Sequence, residues 1–464
     1  MRKYNDRGDT ANVKGKTRRS MSGLDVINPG TAGLDLHKAV IVACAPMGDG
    51  DSRPPVTRFG TCTCDLRDLA VWLKEKAVTT VAMEATGVFW LPVIDHLRSA
   101  GLEVLLVNAR DVKSVKGRPK TDKLDSEWIR RLHACGLLRG SFIPDPETAA
   151  LKNLWRQHLN MEEEATRSVQ RMQKSLQMMN IRLDIAVTDI TGETGIRIID
   201  AILSGEREPR NLAKLRDPRM AKSEREVAAA LDGNFRDDLV FVLRECLLHY
   251  RFPQERIVEL DKFMTRFMAG MEKKVSASDI PKAKKSDRNS PDASFTRERL
   301  FELLGVDLTQ IKGVGILTAT SFLVNAGRDM SPWPTDKHFV SWLALSPNAR
   351  DSGGKKKHAA TKKTSSALAH SLRMAVMSIG RLDSWLGACY RRLKARIGAP
   401  KAITAIARKL AIIFYHAVKD GAGVKSLDAE AYELAHRERT LKYLRRKAAA
   451  HGFELTPVEA AMAS

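Results

Sequence analysis

Cysteine is scarce in this chain: six thiols in 464 residues, at Cys44, Cys62, Cys64, Cys135, Cys246 and Cys389. They are too scattered for a disulfide framework. The Cys62-x-Cys64 pair is too tight for a zinc knuckle and has no second pair or neighbouring histidine to complete one. Buried thiols in a reducing compartment are expected. No apolar run approaches the roughly 20 residues that cross a bilayer, so no membrane partner is expected. The opening MRKYNDRGDTANVKGKTRRS has no hydrophobic stretch, so no secretory signal is expected and residues 1–30 read as a disordered basic arm. Acids are outnumbered too, 55 against 77 Lys and Arg, which leaves +22 and a pI near 9.8. That excess points to a polyanionic partner and says nothing about fold. A cytoplasmic, nucleoid-associated protein follows as the expectation.

The length allows about three domains. From Thr31 onward the pattern is mixed. GLDLHKAVIVACAP predicts two short strands around a polar turn, and VTRFGTCTCD a third strand. LRDLAVWLKEKA has helical spacing, TTVAMEAT is a short strand, and VFWLPVIDHLRSAG is a helix ended by Gly101. LEVLLVN is another strand, and DKLDSEWIRRLHACG a helix stopped by Gly136. The order β-β-β-α-β-α-β-α predicts a mixed sheet with packed helices over 31–148, an α/β domain followed by mainly α structure.

The next block, 149–275, is helical. Val169, Met172, Leu176, Met179 and Leu183 recur at spacings of three and four, as do Leu239, Leu243, Cys246, Tyr250, Pro253, Ile257, Leu260, Met264 and Phe267. Two such seams predict a helical hairpin or coiled coil, read here as a dimerisation element, with a kink at Pro253. Residues 276–299 have the composition of an exposed linker. A second compact domain is expected over 300–422, interrupted by the Gly/Lys-rich loop RDSGGKKKHAATKK, and a basic helical tail over 423–464. No fixed-period repeat is visible.

The acids of KTDKLDSEWIRR stand out within this basic background. Asp122 and Asp125, three apart, share a face if their segment is helical. Asp35 lies in the first strand pair and Glu84 ends the fourth strand. Singly, each is an ordinary surface or ion-pair acid. Together, gathered at strand ends, four carboxylates would repel one another unless cations sat between them. Two Mg²⁺ (or Mn²⁺) ions roughly 4 Å apart would meet that need and form a clamp for in-line phosphoryl transfer, with Lys120 and Lys123 left to hold phosphates.

The strand order and the D…E…D-x-x-D set resemble the RuvC-like branch of the ribonuclease H fold. GLDLHK, MEATGVFW, VNARDVKSVKGRPKTDKLDSEWI and, much later, FVSWLALSPNARDSGGKKK are similar to the DEDD transposases of bacterial insertion sequences, the IS-one-ten family. That group includes Piv-type invertases and bridge-RNA-guided recombinases. DITGETGIRIIDAILSGERE and DGNFRDDLVFVLRECLLHY extend the likeness, which runs from Thr31 to about Asp420. It implies a RuvC-like N-terminal domain, a long coiled-coil middle and a mainly helical C-terminal transposase domain. It also implies DNA partners (element ends and target), a structured guide or bridge RNA, and a homo-oligomer, dimer or tetramer, built through the coiled coil. Two departures are Ser126, where the family commonly has alanine, and Lys363-Thr-Ser-Ser, where it commonly has K-x-G-N.

In the loop LSPNARDSGGKKKHAATKK, Gly353 and Gly354 allow the backbone to approach a phosphate, and Lys355, Lys356, Lys357, Lys362 and Lys363 offer it cations. On residue chemistry alone a Ser-Gly-Gly is an ordinary flexible loop. The resemblance implies that Ser352 is the nucleophile that becomes joined to DNA, with the acids of another protomer completing the site. IKGVGILTATSFL resembles a helix-hairpin-helix turn in which Gly313 and Gly315 free amides for phosphate, or equally a tight helix–helix turn. Phe339 and Trp342 follow core spacing; His37 and Lys38 either contact phosphate or cap the strand turn. The competing functions are a RuvC-like junction endonuclease using metal-activated water, a binding protein on a degenerate nuclease fold, and an actin-like ATPase. The last lacks the later Gly-rich adenosine loop.

Overall fold

The apolar alternation of residues 31–107 builds a five-stranded sheet in the computed structural model. The structure describes residues 25–48, 53–85, 87–108, 112, 122–281, 296–347, 350–352, 355–357, 361–421 and 429–455. At 122–124, 350–352, 355–357 and 429–433 it gives the backbone course alone. Most of the expected basic arm, the larger part of the expected linker, and Lys120, Gly353 and Gly354 lie outside the described residues. The chain divides into two units, 1–143 and 144–464.

In the first unit the strands are β1 (Thr31–Leu36), β2 (Ile41–Cys44), β3 (Val56–Phe59), β4 (Thr80–Glu84) and β5 (Glu103–Val107), in the order β3-β2-β1-β4-β5. β1 is antiparallel to β2, and β2 to β3; β1–β4 and β4–β5 are parallel. The parallel pairs are joined by crossover helices, α1 (Thr63–Glu75) and α2 (Trp90–Ser99). Leu66, Leu69 and Leu73 of α1 and Val93, Ile94 and Leu97 of α2 pack on Ala32, Leu34, Leu36, Val81, Met83 and Leu106, all on one face. The other face carries α3 (Asp122–Ala134), whose Trp128, Ile129 and Leu132 pack on Ala82 and Val107. The expected strand and helix order holds throughout this unit.

The second unit is helical. α4 (Pro146–Met178) opens on Asp145, whose carboxylate accepts from Thr148 N at 2.9 Å, with Pro146 in the first turn where its missing amide costs nothing. Four short helices follow: α5 (Leu183–Ala186), α6 (Glu193–Leu203), α7 (Pro209–Ala213) and α8 (Glu224–Leu231). α9 (Asp237–Ala269) then returns along α4. His158 Nε2 lies 3.3 Å from Asp261 Oδ1, while Met172 and Leu176 share a core with Leu243 and Leu247. The two long helices are therefore antiparallel, and the seam residues read from the sequence are buried or half-buried within one chain. α9 continues through Pro253, which is itself buried.

Beyond them come α10 (Arg297–Leu304), α11 (Ile316–Ala326) and α12 (Asp336–Trp342), then the strands β6 (Arg350–Ser352) and β7 (Lys355–Lys357). α13 (Ala367–Ile379), α14 (Trp385–Ile397), α15 (Ala399–Asp420) and the basic α16 (Ala429–Ala450) complete the unit. Its core is aromatic: Phe322 meets the edges of Phe339 and Phe414, and Tyr415 donates from its hydroxyl to Trp333 O at 2.7 Å. Phe339 is fully buried, as its spacing predicts. Among the described residues no helix is long and apolar enough to cross a membrane.

Candidate active site

The parallel strands β1 and β4 pair in register up to Leu34 and Met83. One residue further, Asp35 and Glu84 lie at the ends of neighbouring strands whose backbones run roughly 4.8 Å apart, Asp35 one residue before the last of β1. Alternation decides which way they point. Leu34 and Met83 face α1 and α2, so Gly33, Asp35, Ala82 and Glu84 face the opposite side, the one α3 covers.

Three contacts fix the course of α3. Its C-terminal end lies at the start of the strands: Ile27 N and Asn28 N donate to Ala134 O at 2.8 and 3.0 Å. There too Thr80 Oγ1 and His133 Nε2 are 3.0 Å apart. Burial lowers the pKa of His133, against the opposing pull of Glu103. The middle of the helix lies on Gly33, where an added Cβ would fall on Ser126 O and the Arg130 amide. Ser126 is fully buried in this contact, which explains a small residue at that position. Cys44, the partner of Gly33 on β2, faces the same helix, and burial pushes its thiol up to about 11 although Arg130 pulls it down. α3 thus runs antiparallel to β1, and its first turn, with Asp122 and Asp125, comes to the strand ends that carry Asp35 and Glu84.

So the fold brings the four predicted acids to one end and one face of one sheet. It does not close them into a ligand set among the described residues: no three Asp, Glu, His or Cys side chains stand together as a metal-holding group, and the side chain of Asp122 is not described. The donors are all hard carboxylate oxygens, the chemistry that Mg²⁺ or Mn²⁺ prefers. The Asp35 carboxylate is 14% exposed and its Oδ2 lies 3.2 Å from Nε2 of the exposed His37. The sequence left His37 undecided between phosphate and turn; the structure sets it against Asp35.

Ser352 belongs to the second unit. Where the composition predicts a loop, the structure has a β-hairpin: β6 and β7 are antiparallel with Ser352 opposite Lys355, Asp351 opposite Lys356 and Arg350 opposite Lys357. A Pro347–Thr361 bridge closes its base. The pairing fixes Lys355 as the cross-strand neighbour of the serine, and Lys362 and Lys363 follow in exposed chain. Lys123 lies in the first turn of α3 beside Asp122.

The two glycines of IKGVG differ. Gly313 has φ +88°, and a Cβ there would meet Ile379 Cγ1 at 2.7 Å and Ile379 N at 3.1 Å, so its role is close packing on the end of α13. Gly315 caps α11 with open space where a Cβ would stand.

One signal escaped the sequence reading. Between Ser352 and Asp420 the only acid is Asp383, among a run of lysines and arginines. The structure places Arg391, Arg392, Lys394 and Arg396 on α14 and Lys401, Arg408 and Lys409 on α15, two helices packed on each other. Lys409 Nζ sits 5.9 Å from the centre of the Trp385 ring. A window count of net charge would have found this surface.

Comparison with known families gives two matches. Residues 32–181 match a family model for the DEDD transposases of IS110 elements, and residues 307–391 match one described as the transposase IS116/IS110/IS902 family. Together they take in half of the chain, and they cover the sheet with its acids and the hairpin with Ser352. No curated protein matches the chain.

Proposed function

This chain belongs to the IS110 family of transposases, enzymes of insertion sequences that cut and rejoin DNA, and from that premise we propose that it works through a covalent serine–DNA intermediate. The observation that supports the reading is the topology: parallel strands that carry Asp35 and Glu84 near their ends, with α3 antiparallel beneath them and its first turn towards the same sheet end. That strand order supports a RuvC-like domain. Asp35, Glu84, Asp122 and Asp125 would hold Mg²⁺ (or Mn²⁺), which when bound supplies Lewis-acid stabilisation of the charged phosphorane-like oxygens.

The residues of the chain do the rest. Ser352 gives up its hydroxyl proton to a carboxylate of another protomer's cluster, since its own pKa is far too high for free ionisation. Its oxygen attacks phosphorus; the Oγ–P bond forms as the P–O bond to one deoxyribose oxygen breaks, and that oxygen takes up a proton. Rejoining reverses the exchange with a hydroxyl from another strand. Lys355, opposite the serine, and Lys356, Lys357, Lys362 and Lys363 neutralise the phosphate. The α14–α15 surface grips the backbone of the polyanion. Sequence choice by base pairing with a structured guide RNA fits a chain whose cations are spread over whole helices.

A homo-oligomer built through the helical hairpin is part of the proposal. The inner seam is filled by the chain itself, so the contact is the outer stripe of α9, where Phe241, Leu248, Phe252 and Phe263 are all at least half exposed.

The test is a denaturing gel of protein incubated with element-end DNA and co-expressed flanking RNA in Mg²⁺. Wild type is expected to give a covalent protein–DNA adduct that Ser352→Ala lacks. If Ser352→Ala still cuts and joins as wild type does, the chemistry is that of a water-using junction endonuclease.

A further inference from the structure

At the same end of the sheet as the acids, but on the face that α1 and α2 cover, the β1–β2 turn and the start of α2 enclose a cleft of about 170 Å³ that the proposed strand chemistry does not use. Its floor is Leu36 and Ile41, its walls Phe89 and Pro92, and its rim His37 and Lys38. Thr61 Oγ1 donates to Lys38 O at 3.3 Å and ties the rim to the end of β3. The volume is far below the roughly 300–1,000 Å³ of a drug-sized pocket and suits one planar ring system. No acidic side chain lines it, and its rim is cationic, so an anionic strand is accepted rather than repelled.

Two observations point to the occupant. The segment that follows Glu84 leaves apolar surface in water where a polyanion must come: Phe89 is 37% exposed and Val88 68%. Phosphates cannot cover such groups, whereas an unstacked base can, since its flat face is apolar and its edge polar. The rim is also one hydrogen-bond length from the site, through His37 Nε2 and Asp35 Oδ2 at 3.2 Å. We propose that this cleft holds one unpaired nucleobase adjacent to the scissile phosphate, stacked on Phe89 with Lys38 on the adjoining phosphate. The inference rests on the strand-transfer reading for its location, not for its test.

The full-length protein is irradiated, without divalent metal, with a 5-iododeoxyuridine-substituted dT oligonucleotide, which cross-links to aromatic rings it stacks on, and the adducts are peptide-mapped. A cross-link at Phe89 is expected. It should fall about tenfold in Phe89→Leu, as removal of a base–aromatic stack implies, and persist in Phe89→Tyr. Unlabelled dT should compete, whereas an abasic strand of equal length and a fully paired duplex should not. A cross-link elsewhere only, or equal competition by the abasic strand, overturns the proposal. Because no cleavage is required, a missing Ser352 adduct leaves this result standing, and the reverse also holds.

Discussion

Replacing Gly33 by alanine tests whether the packing of α3 on β1 positions the acids. The added Cβ meets main-chain atoms, Ser126 O and the Arg130 amide and Cα, so no rotamer change relieves the clash and Ser126→Gly does not rescue it. Either β1 or α3 must withdraw. Both are tied down, β1 by pairing on both sides and α3 by Trp128, Ile129 and Leu132 below and by the Ala134 carbonyl at its end. Overpacking of this kind costs about 1–3 kcal/mol, and a backbone–backbone contact belongs at the upper end. At about 3 °C per kcal/mol for a unit of this size, the unfolding midpoint of the full chain's first transition falls by roughly 9 °C. The functional loss is larger than the stability loss, because a helix displaced by roughly 1 Å misplaces Asp122 and Asp125, and misplacement on that scale costs about 100-fold in rate. Differential scanning calorimetry and adduct formation at a temperature where the variant stays folded give the two numbers. A variant that keeps its midpoint within 1 °C, on the order of the measurement itself, and its activity would refute the placement of α3, and with it the convergence of the acids.

Asp307 and Arg297 form a nearly buried pair, with Arg297 Nε donating to Asp307 Oδ2 at 2.8 Å. Burial pushes the Asp307 carboxyl up, but hydrogen bonds from Thr309, Gln310 and Arg297 outweigh it and hold the pKa below its usual value. A depressed carboxyl stabilises the fold fully above its unfolded pKa of about 3.9 and loses that contribution as pH falls through the folded value. Asp307→Asn is expected to cost about 3–5 kcal/mol at neutral pH and to flatten the acid limb of the stability curve, read by urea unfolding between pH 7 and pH 3, on the order of the span over which a paired carboxylate titrates. Gly313→Ala should lower the midpoint by several degrees, through its left-handed φ and the contact with Ile379, while Gly315→Ala, with open space, leaves stability within about 1 kcal/mol. Equal midpoints for the two variants would return Gly313 to a purely phosphate-binding role.

The sheet was legible because each strand carries its own alternation and each crossover helix its own stop, so local pattern and tertiary order agree. Gly33 was not legible as a contact point: nothing in GLDLHK says that a helix nearly a hundred residues later will cross it at backbone distance. The hairpin around Ser352 escaped for the opposite reason. Arg350–Ser352 and Lys355–Lys357 are too short and too charged to show alternation, so composition reads as loop where pairing across two glycines makes strands. The seams of α4 and α9 were read correctly as apolar, but a period of three and four cannot tell a partner in the same chain from one in another. The helices between Leu183 and Leu231 close the far end of the hairpin by packing into the same core as its seam, and Met179 and Leu183 join the two.

The acids cannot gather by their own interactions, because carboxylates at one point repel and their burial raises the cost. What gathers them is neutral: the register of β1 on β4, the missing side chain at Gly33 and the apolar contact of Ala82, Val107, Trp128, Ile129 and Leu132. Each of these is complete without any ion. The folding energy of the first unit therefore offsets the repulsion in advance, and the proposed metal ions would only have to complete the arrangement rather than create it. This separates the site from small metal-dependent domains, which unfold when the ion is removed. Chelation should abolish adduct formation while leaving the far-ultraviolet circular dichroism and the first unfolding midpoint unchanged. A chelator that melts the sheet would mean that the ions, not Gly33 and its neighbours, hold Asp35 beside Glu84.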